Sequence, residues 1–363
     1  MICAGGTGGG VYPALAVHKA LKTARPDVQI LWVGGEGGME AELVKRAGIP
    51  FKTIPAAGIH GVALHRLPGN VSAIVRGSSA ATRILNEFKP DVLFFTGGYV
   101  AVPMALAGRK MPSLLYVPDI EPGLALKALA YLAKCITVTS EDSKRYFSRS
   151  ANVIVTGYPV RDDLAAWNRS EARNHFGIKT KLPVVLVYGG SKGAHSLNMA
   201  LLTQLNSLLE QVEVIHISGE LDWPEVQKTQ ASLSGAQNSF YHAFPYLHED
   251  MGAALAAADL AVSRAGASVL GEFPQFGTPA ILVPYPYAWH YQKVNADALA
   301  KHGAALMIED SKLKSGLILT IEKLLETPEK LADMRKAMTA LRSPNAAENI
   351  AAQLLKLAGD NNA

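Results

Sequence analysis

Three glycine-rich segments carry the residue types that are best suited to chemistry in this sequence. They occupy residues 5–10 (GGTGGG), 189–193 (GGSKG) and 264–267 (RAGA), and each lies between a short apolar run and a helical pattern. A helix that begins directly after a strand presents unpaired backbone N–H groups at the positive end of its dipole. Phosphate binds well at such a position, so we predict an anion-binding role for these segments.

Residues 258–296 combine the third segment with side chains that could bind a nucleotide sugar. The pattern predicts a buried strand over residues 260–263, followed by a turn and a helix from about Ala267 that carries Glu272 in its second turn. A carboxylate at that point can accept hydrogen bonds from both hydroxyls of a ribose. A second strand leads to a proline- and tyrosine-rich loop that we expect to end in Gln292 and Asn295, whose amides suit sugar hydroxyls.

The other two glycine segments each allow a second interpretation. The first has Val11 where the dinucleotide pattern G-x-G-x-x-G needs glycine. It is therefore either a phosphate-binding or acceptor-facing loop, with Thr7 as a hydroxyl donor, or a plain tight turn. The second matches G-x-S-x-G, the nucleophile elbow of serine hydrolases, with Ser191 as the nucleophile. Because the strand–glycine–helix unit occurs three times, a composite phosphate and sugar site is favoured over a hydrolase.

The composition indicates an ordered protein of two domains with a modest positive charge. The chain has 363 residues, of which 49% are hydrophobic and 18% are charged, and its formal net charge is +4. That length is too great for one ordinary core, and the composition excludes a disordered chain. Two cysteines in apolar contexts, Cys3 and Cys135, indicate a reducing compartment rather than a disulfide framework.

Basic residues concentrate between residues 43 and 90, where seven lysines and arginines accompany one acid, Glu87. Such a segment favours an anionic partner: phosphate, acidic lipid or nucleic acid. From residue 60 to 89 the basic residues alternate with apolar ones, which suits either an amphipathic helix packed on a sheet or a face in contact with a membrane. The longest uncharged runs, 92–108 and 273–289, are broken by glycine and proline and do not reach the ~20 apolar residues of a membrane span.

Short apolar runs alternate with helical patterns in both halves of the chain. This alternation is typical of parallel sheets covered by helices on both faces, so we predict two doubly wound α/β domains. We place the first domain at residues 1–157 and the second at 158–342, with a last helical segment at 343–363. Only four residues precede the first glycine segment, fewer than a strand of about five or six needs, so we expect the natural start to lie upstream.

Signals for a metal or a cofactor are weak. The sequence has no H-E-x-x-H motif and no paired-cysteine motif, and its ten histidines are scattered singly. Asp119-Ile120-Glu121 has the form of the D-x-D triplet that holds a metal on nucleotide sugars in another fold, but it stands alone. We therefore predict no bound metal and no cofactor.

Six motifs taken together resemble one known family. They are GGTGGGVYPALAV (5–17), GGYVAVP (97–103), GYPVR (157–161), GGSKGAHSLN (189–198), SRAGASVLGE (263–272) and YQKVNA (291–296). In this order they are similar to the peptidoglycan N-acetylglucosaminyltransferases of glycosyltransferase family 28. The resemblance implies the GT-B fold, with two Rossmann-like domains facing across a cleft and a last helix that returns to the first domain. It also implies an inverting enzyme that converts lipid I to lipid II with UDP-GlcNAc and without a catalytic metal.

The resemblance assigns roles to residues of the first two glycine segments and to one arginine. Thr7, Gly8 and Gly9 would lie near the donor sugar and the acceptor. Arg161 and Ser191 would contact the diphosphate or the sugar. Both roles follow from the family and not from the spacing of these residues.

The resemblance also assigns contacts within the second domain. The backbone of Leu247, or of its neighbour His248, would contact the uracil, Glu272 the ribose, and Gln292 the sugar. The assignment of Glu272 agrees with the one reached above from the helix geometry. Helix-start N–H groups for the diphosphate would come from five consecutive residues: Ala267, Ser268, Val269, Leu270 and Gly271.

Two departures from the family pattern lie on the acceptor side. The family has histidine directly after G-G-T-G-G, where this chain has Gly10, and it has His-Glu-Gln-Asn where this chain has YVPD (116–119). Direct displacement with inversion needs a base for the acceptor hydroxyl. Asp119, at the family's Asn position and followed by Glu121, is our candidate for that base.

The sequence thus predicts a cytoplasmic glycosyltransferase that contacts the anionic membrane surface peripherally. Its donor would be UDP-GlcNAc and its acceptor lipid-linked, with lipid I first and a diacylglycerol or another polyprenyl glycan as alternatives; no nucleic acid is expected. A non-hydrolysing sugar-nucleotide epimerase and a serine hydrolase are the alternatives from other classes.

Overall fold

The computed structural model describes residues 1–6, 8–38, 40–58, 67–190, 193–287 and 290–359. The chain divides into two compact units. Unit 1 comprises Met1–Arg161 together with the chain from Pro344 onward, and unit 2 comprises Asp162–Ser343. The boundaries predicted from the sequence were 157 and 342.

Unit 1 is built on a seven-stranded parallel sheet. Its strands are β1 (Ile2–Cys3), β2 (Trp32–Gly35), β3 (Phe51–Ile54), β4 (Leu93–Phe95), β5 (Ser113–Val117), β6 (Cys135–Val138) and β7 (Val153–Val155). They lie in the order β3-β2-β1-β4-β5-β6-β7, and each neighbouring pair is parallel. The order reverses between β1 and β4, which is where ligands bind in open α/β sheets.

Helices cover both faces of this sheet. They are α1 (Gly8–Ala24), α2 (Glu40–Arg46), α3 (Leu67–Phe88), α4 (Ala101–Ala107), α5 (Leu124–Ala130) and a 3-10 helix (Glu141–Tyr146). We had expected α1 to start at Pro13, the residue most typical of a first turn. It starts at Gly8 instead and keeps Pro13 inside it, so part of the first glycine segment is helical.

The strands of unit 1 are apolar throughout because both faces of the sheet are buried. Along β5, Leu114 and Tyr116 point into one hydrophobic cluster, and Leu115 and Val117 point into the other. All four side chains are fully buried. This is the arrangement that continuous apolar runs, rather than alternating ones, predict.

Unit 2 is built on a six-stranded parallel sheet. Its strands are β8 (Val184–Tyr188), β9 (Glu213–Ile217), β10 (Tyr241–Phe244), β11 (Leu260–Ser263), β12 (Ala280–Leu282) and β13 (Ala305–Met307). They lie in the order β10-β9-β8-β11-β12-β13, with parallel pairing throughout. Here the order reverses between β8 and β11.

The helices of unit 2 connect these strands and cover the sheet. They are α6 (Asp162–Ala165), α7 (Arg169–His175), α8 (His195–Thr203), α9 (Leu205–Leu208), α10 (Trp223–Ser232), α11 (Gly235–Asn238), α12 (Met251–Ala257), α13 (Val269–Phe276), α14 (Tyr291–Lys301), α15 (Leu313–Leu325) and α16 (Pro328–Ala340), with a 3-10 helix at Asp310–Lys312. The single helix expected over residues 196–209 is divided at Gln204, whose backbone φ of −125° is not helical.

The last helix of the chain, α17 (Ala346–Leu357), belongs to unit 1. It packs on α1 and β5. Ile350, Ala351 and Leu354 are buried in the same cluster as Val11 and Val17 of α1. The two doubly wound parallel sheets confirm the predicted α/β fold class. Within the described part of the chain, no helix combines the length and the apolar character that a membrane crossing requires.

Candidate functional site

In unit 2, two of the glycine segments lie at the reversal of strand order. Segment 189–193 follows β8 and segment 264–267 follows β11, and β8 pairs with β11. Ser191 and Lys192 lie outside the described residues. Gly193 has a φ of +74°, and a Cβ there would lie 2.5 Å from the carbonyl oxygen of Ser218. The segment therefore packs against the end of β9, at a distance that only glycine allows.

Arg264 holds the second of these segments in place. Its guanidinium is 9% exposed and donates to Asp310 Oδ1 at 2.5 Å, to Ser196 Oγ at 2.8 Å and to the carbonyl of Val283 at 3.2 Å. Ser196 Oγ also donates to Asp310 Oδ1 at 2.7 Å. The Tyr285 ring lies 5.3 Å from the guanidinium carbon. One buried arginine thus connects the ends of β11 and β12 with α8.

Glu272 lies in the first turn of α13, one turn earlier than predicted, because the helix begins at Val269. Its side chain is half-buried. The pKa of Tyr188, the last residue of β8, is raised well above its usual value by burial and, second, by the negative charge of Glu272. The Glu272 carboxylate therefore lies near the end of β8, at the edge where ligands bind in this fold.

The start of α13 has fewer available N–H groups than predicted. Val269, Leu270 and Gly271 each donate their N–H to the carbonyl three residues earlier, at 3.1–3.2 Å. The five predicted helix-start donors are thus reduced to Ala267 and Ser268, whose N–H groups bond to no residue in the described ranges. Two adjacent N–H groups at a helix start still suit an anion.

Gln292 and Asn295 lie in the first turns of α14, not in the loop before it as expected. Gln292 Oε1 accepts the N–H of Tyr285 at 2.9 Å. Asn295 is fully buried, and its Nδ2 donates to the carbonyl of Ala265 at 3.1 Å. Both amides therefore hold the loops that follow β11 and β12. Ala288 and Trp289, from the same proline- and tyrosine-rich stretch, lie outside the described residues.

A buried polar network supports α8, the helix after segment 189–193. Asn198 Nδ2 donates to the Ser218 carbonyl and to Asp222 Oδ2, at 2.8 and 2.7 Å. Its Oδ1 lies 3.0 Å from His216 Nε2, and His216 Nδ1 lies 2.7 Å from the Tyr241 hydroxyl. Burial lowers the pKa of His216 to about 3, so the imidazole is neutral at physiological pH. Nε2 therefore carries the hydrogen and donates to Asn198 Oδ1, and Nδ1 accepts a hydrogen bond from the Tyr241 hydroxyl.

The proposed uracil contacts lie beyond β10. Leu247 is half-buried and His248 is exposed. The ring centroids of Tyr246 and His248 are 4.6 Å apart. Both residues follow β10, on the same edge of the sheet as the loops after β8 and β11, because all these strands are parallel.

In unit 1, the first glycine segment and the loop after β4 lie in direct contact. Gly6 and Gly98 have φ values of +89° and +83°. A Cβ on Gly98 would collide with the carbonyl oxygen of Gly5. Gly8 and Gly9, predicted to line the site, are half-buried and form the first turn of α1. Thr7 lies outside the described residues.

Gly10 and Tyr116 occupy positions where the sequence departs from the expected pattern. Thr96 Oγ1 donates to the Gly10 carbonyl at 2.8 Å, and a Cβ at position 10 would lie 3.2 Å from the Thr96 carbonyl oxygen. Tyr116 is fully buried, its hydroxyl lies 2.8 Å from Thr139 Oγ1, and burial raises its pKa well above the usual value. Tyr116 is therefore a core residue that cannot take up a proton from a substrate.

Asp119 lies in the loop after β5 and is half-buried. Glu121, two residues on, forms an ion pair with Lys127 of α5 at 2.8 Å, and its side chain is 13% exposed. Lys127 in turn lies 5.5 Å from the centre of the Tyr146 ring. Glu121 is therefore held in place by an ion pair with α5.

Arg161 is the last residue of the first stretch of unit 1. Its guanidinium carbon lies 4.7 Å from the centre of the Tyr12 ring on α1, in a cation–π contact. This contact places Arg161 beside the first turns of the helix that follows the first glycine segment. The contact of Arg161 with the diphosphate stays a prediction.

No metal centre is evident in the ranges that the structure describes, where no three His, Cys, Asp or Glu side chains are grouped for one ion. The two cysteines are free and buried. Burial raises the pKa of Cys3 to about 12 and that of Cys135 to about 11. Both thiols therefore stay protonated and do not act as nucleophiles.

Both units match domains of known proteins. Residues 1–137 match the glycosyltransferase family 28 N-terminal domain, and residues 184–350 match the glycosyltransferase family 28 C-terminal domain. A relative from Desulforudis audaxviator (strain MP104C), a UDP-N-acetylglucosamine--N-acetylmuramyl-(pentapeptide) pyrophosphoryl-undecaprenol N-acetylglucosamine transferase, is 39% identical over 372 residues. The match covers 99% of this chain and 98% of the relative. The chain belongs to glycosyltransferase family 28.

Solved structures show the same fold. A crystal structure of MurG from Acinetobacter baumannii has a TM-score of 0.78 at 30% identity and covers 98% of this chain and 99% of its own. UDP-GlcNAc 2-epimerase from Neisseria meningitidis, bound to UDP-GlcNAc, has a TM-score of 0.69 at 16% identity and covers 98% of this chain and 99% of its own. Epimerases therefore share the fold. The predictions of GT-B architecture, family 28 and a glycosyltransferase are confirmed.

Sequence reasoning missed three residues that organise this family 28 enzyme. Arg264 was read as part of a turn, although an arginine at the end of a buried strand is a signal for a buried ion pair. Asn198 and Glu40 were not singled out. Glu40 follows a cluster of glycines at residues 34–38, and it is 1% exposed. A charge beside several glycines could have indicated a carboxylate that contacts backbone.

Proposed function

We propose that this family 28 enzyme transfers N-acetylglucosamine from UDP-GlcNAc to lipid I, with inversion at the anomeric carbon. The observation that carries the proposal is the 39% identity, over 99% of the chain, to a transferase of that name. Membership of family 28 supports a transferase that uses a UDP-sugar as its donor. The contacts at the carboxyl edges of the two sheets support particular roles for individual side chains.

Unit 2 would bind the donor. The half-buried Glu272 carboxylate, beside the end of β8, suits the two ribose hydroxyls. The N–H groups of Ala267 and Ser268 suit the diphosphate. Gln292 uses its Oε1 on Tyr285, so its Nε2, which has no partner among the described residues, suits a sugar hydroxyl. The backbone beyond β10, at Leu247, suits the uracil.

Charge on the departing UDP would be stabilised by dipoles and cations of the chain itself. Negative charge develops on the diphosphate as the glycosidic bond to it breaks. We assign its stabilisation to the start of α13, to Ser191 and to Arg161. Arg161 lies on the Tyr12 ring, and this cation–π contact favours the observed orientation of the guanidinium.

Unit 1 would bind the acceptor, with Thr7, Gly8 and Gly9 beside it and Asp119 as its base. Tyr116 is excluded as a base by its burial and raised pKa. Glu121 is held by its ion pair with Lys127 of α5. Asp119 is half-buried and lies two residues beyond the end of β5, so we assign the proton transfer to it.

The lipid part of the acceptor implies peripheral contact with the cytoplasmic face of the membrane. On α3, Val71 and Val75 lie one turn apart and are 49% and 64% exposed, and the exposed Arg76 lies beside them. An exposed apolar pair next to a cation suits an anionic lipid surface. Residues 60–66 of the predicted amphipathic segment lie outside the described residues.

The direct test is transfer of radiolabelled GlcNAc from UDP-GlcNAc, with lipid I and diacylglycerol offered in parallel. We expect label in the lipid I fraction and equimolar release of UDP. Label in diacylglycerol instead would keep the donor site and replace the acceptor. Conversion of the sugar nucleotide without any labelled lipid would favour the epimerase alternative, for which the shared fold is the supporting observation.

A further inference from the structure

Glu40 is a buried carboxylate to which the proposed reaction gives no role. It is the first residue of α2, and it is 1% exposed. Removing an ionised carboxylate from water is costly unless hydrogen-bond donors surround it. The hydrogen-bond donors around Glu40 therefore show what this buried carboxylate holds in place.

The Glu40 carboxylate accepts N–H groups from two different loops. Oε2 accepts the N–H of Gly6, in the loop after β1, at 3.2 Å. Oε1 accepts the N–H of Gly35, at the end of β2, at 2.8 Å. Bonds from backbone N–H to a carboxylate are charge-assisted and stronger than neutral ones. One side chain thus fixes the first glycine segment relative to the neighbouring strand.

The surrounding glycines leave open the space that the Glu40 carboxylate occupies. A Cβ on Gly5 or on Gly38 would collide with the carboxylate, and one on Gly34 would lie 2.8 Å from Oε1. These glycines come from the loop after β1, from β2 and from the turn before α2. Three separate backbone segments therefore approach the same carboxylate more closely than any other residue type allows.

The loop fixed by Glu40 in turn supports the loop after β4. Gly98 lies against the Gly5 carbonyl so closely that a Cβ on Gly98 would collide with it. Gly98 precedes Tyr99, whose ring is 57% exposed. Glu40 thus contacts the segment that contains Gly5, and Gly5 contacts Gly98. These contacts lead to the carboxyl edge of the sheet, at the point where the strand order reverses between β1 and β4.

We propose that Glu40 is a positioning residue that sets the two glycine loops of unit 1 for the acceptor. The inference rests on the proposed function in one respect, the assignment of unit 1 to acceptor binding. Glu40 touches no reacting atom; it acts by holding the backbone of the first glycine segment. Loss of its charge should therefore weaken acceptor use while donor binding in unit 2 is kept.

The substitution Glu40→Gln separates the charge from the volume. Glutamine fills the same space but has one acceptor oxygen, and its NH2 group must face one of the two backbone N–H groups. The shorter bond, to Gly35, should keep the oxygen, so the NH2 group would turn towards Gly6 and displace the first glycine segment. Glu42→Gln is the matched control, because Glu42 is an exposed acid in the same first turn of α2.

The experiment compares the full-length variants in three measurements. We expect E40Q to lower kcat/KM for lipid I about tenfold or more, since small misplacements of positioning loops have effects of this size. The Kd for UDP in calorimetry should stay within about twofold of the wild type, because unit 2 is unchanged. Hydrogen exchange should accelerate in the peptide that contains Gly6 and stay unchanged in the one that contains Gly35. E42Q should match the wild type in all three measurements.

A second variant covers the case in which E40Q does not fold. Gly38→Ala places a methyl group against the carboxylate from the turn before α2, without altering the glycine segment itself. It should reproduce the loss of acceptor use. Wild-type acceptor kinetics in folded E40Q, or equal losses in acceptor kinetics and UDP affinity, would overturn the positioning role. Hydrogen exchange needs no substrate, so it tests the Glu40 contacts even if the wild-type enzyme transfers no sugar to lipid I.

Discussion

The position of Glu272 suggests that its carboxylate contributes strongly to the affinity for the donor. It is half-buried beside the end of β8, where water competes less for its oxygens. We expect Glu272→Ala to weaken UDP binding by about 1–3 kcal/mol, the value of charge-assisted hydrogen bonds to the ribose. Isothermal calorimetry with UDP measures this loss directly.

The control for this prediction is Glu225→Ala, which removes an exposed acid from α10 in the same unit. It should bind UDP as the wild type does. Equal affinities for E272A and the wild type would remove Glu272 from the donor site and require another group for the ribose.

Asp119 is the residue on which the chemical step depends in the proposed mechanism. Asp119→Asn keeps the size of the side chain but removes its ability to accept a proton at neutral pH. We expect kcat to fall about 100-fold or more, the usual contribution of a general base, with the Kd for UDP unchanged. Steady-state transfer assays with saturating donor measure kcat.

Asp163→Asn, an exposed change in α6, is the matched control and should leave kcat unchanged. Full turnover by D119N would assign the base to another group. The deep burial of Tyr116 means that the tyrosine preceding this loop is not that group.

At the scale of secondary-structure elements, the network through His216 makes the stability of unit 2 depend on pH. The pKa of His216 is lowered to about 3 by burial, whereas a histidine in an unfolded chain titrates near pH 6.5. Between these values the unfolded chain binds a proton that the folded chain does not, so stability is complete above about pH 6.5 and falls as the pH drops. The expected loss is about 2 kcal/mol between pH 6.5 and pH 5.

Urea unfolding at a series of pH values tests this dependence. His216→Gln should flatten the slope between pH 6.5 and 5 by roughly 1.1 kcal/mol per pH unit on average, because glutamine does not titrate. The same variant should be less stable at pH 8, since it disturbs Asn198 and Tyr241. His302→Gln, an exposed change at the end of α14, should keep the wild-type slope. A wild-type slope in H216Q would mean that another group titrates.

Strands and helices were predictable wherever apolar runs were continuous. The sequence patterns at residues 51–54 and 113–117 predict strands with the bounds observed for β3 and β5. The sequence pattern at residues 29–33 predicts a strand there, but β2 lies at Trp32–Gly35. The reason is that Gly34 and Gly35 pair with Thr53 and Ile54, although glycines usually mark turns. Pairing with a neighbour decides such cases, and pairing is a long-range property that a local pattern does not contain.

The sequence predicts which segments form the candidate site, but it does not predict most of the contacts between their side chains. The placement of Glu272 followed from a strand, a turn and a helix in immediate succession. The contacts of Gln292 with Tyr285, and of Glu40 with Gly6 and Gly35, join residues from different elements. The distance between elements depends on side-chain packing across the whole sheet, so these contacts needed the structure.

At the scale of the molecule, the exposed apolar face of α3 predicts lipid-dependent association. We expect the protein to sediment with vesicles that contain phosphatidylglycerol and to do so less with pure phosphatidylcholine, because anionic lipid attracts the basic segment. The double change Val71→Asp and Val75→Asp should reduce vesicle binding about tenfold or more, since it removes two apolar side chains and adds repulsion.

Leu319→Asp is the control, because Leu319 is a comparably exposed apolar residue of α15 in unit 2. It should leave sedimentation unchanged. If the α3 variant bound anionic vesicles as tightly as the wild type, the contact with lipid would have to lie elsewhere, and α3 would be an ordinary helix of the sheet surface.

The position of α17 in unit 1 has a consequence for how the protein is made. A ribosome releases unit 2 in full before the residues of α17 emerge, yet α17 completes the hydrophobic cluster around Val11, Val17 and Ile350. After the rest of unit 1 has been made, the apolar side of α1 must therefore remain uncovered while the roughly 180 residues of unit 2 are added. Unit 1, whose strands are made before unit 2, is thus the last to finish folding, and its exposed helix is open to chaperones throughout that interval.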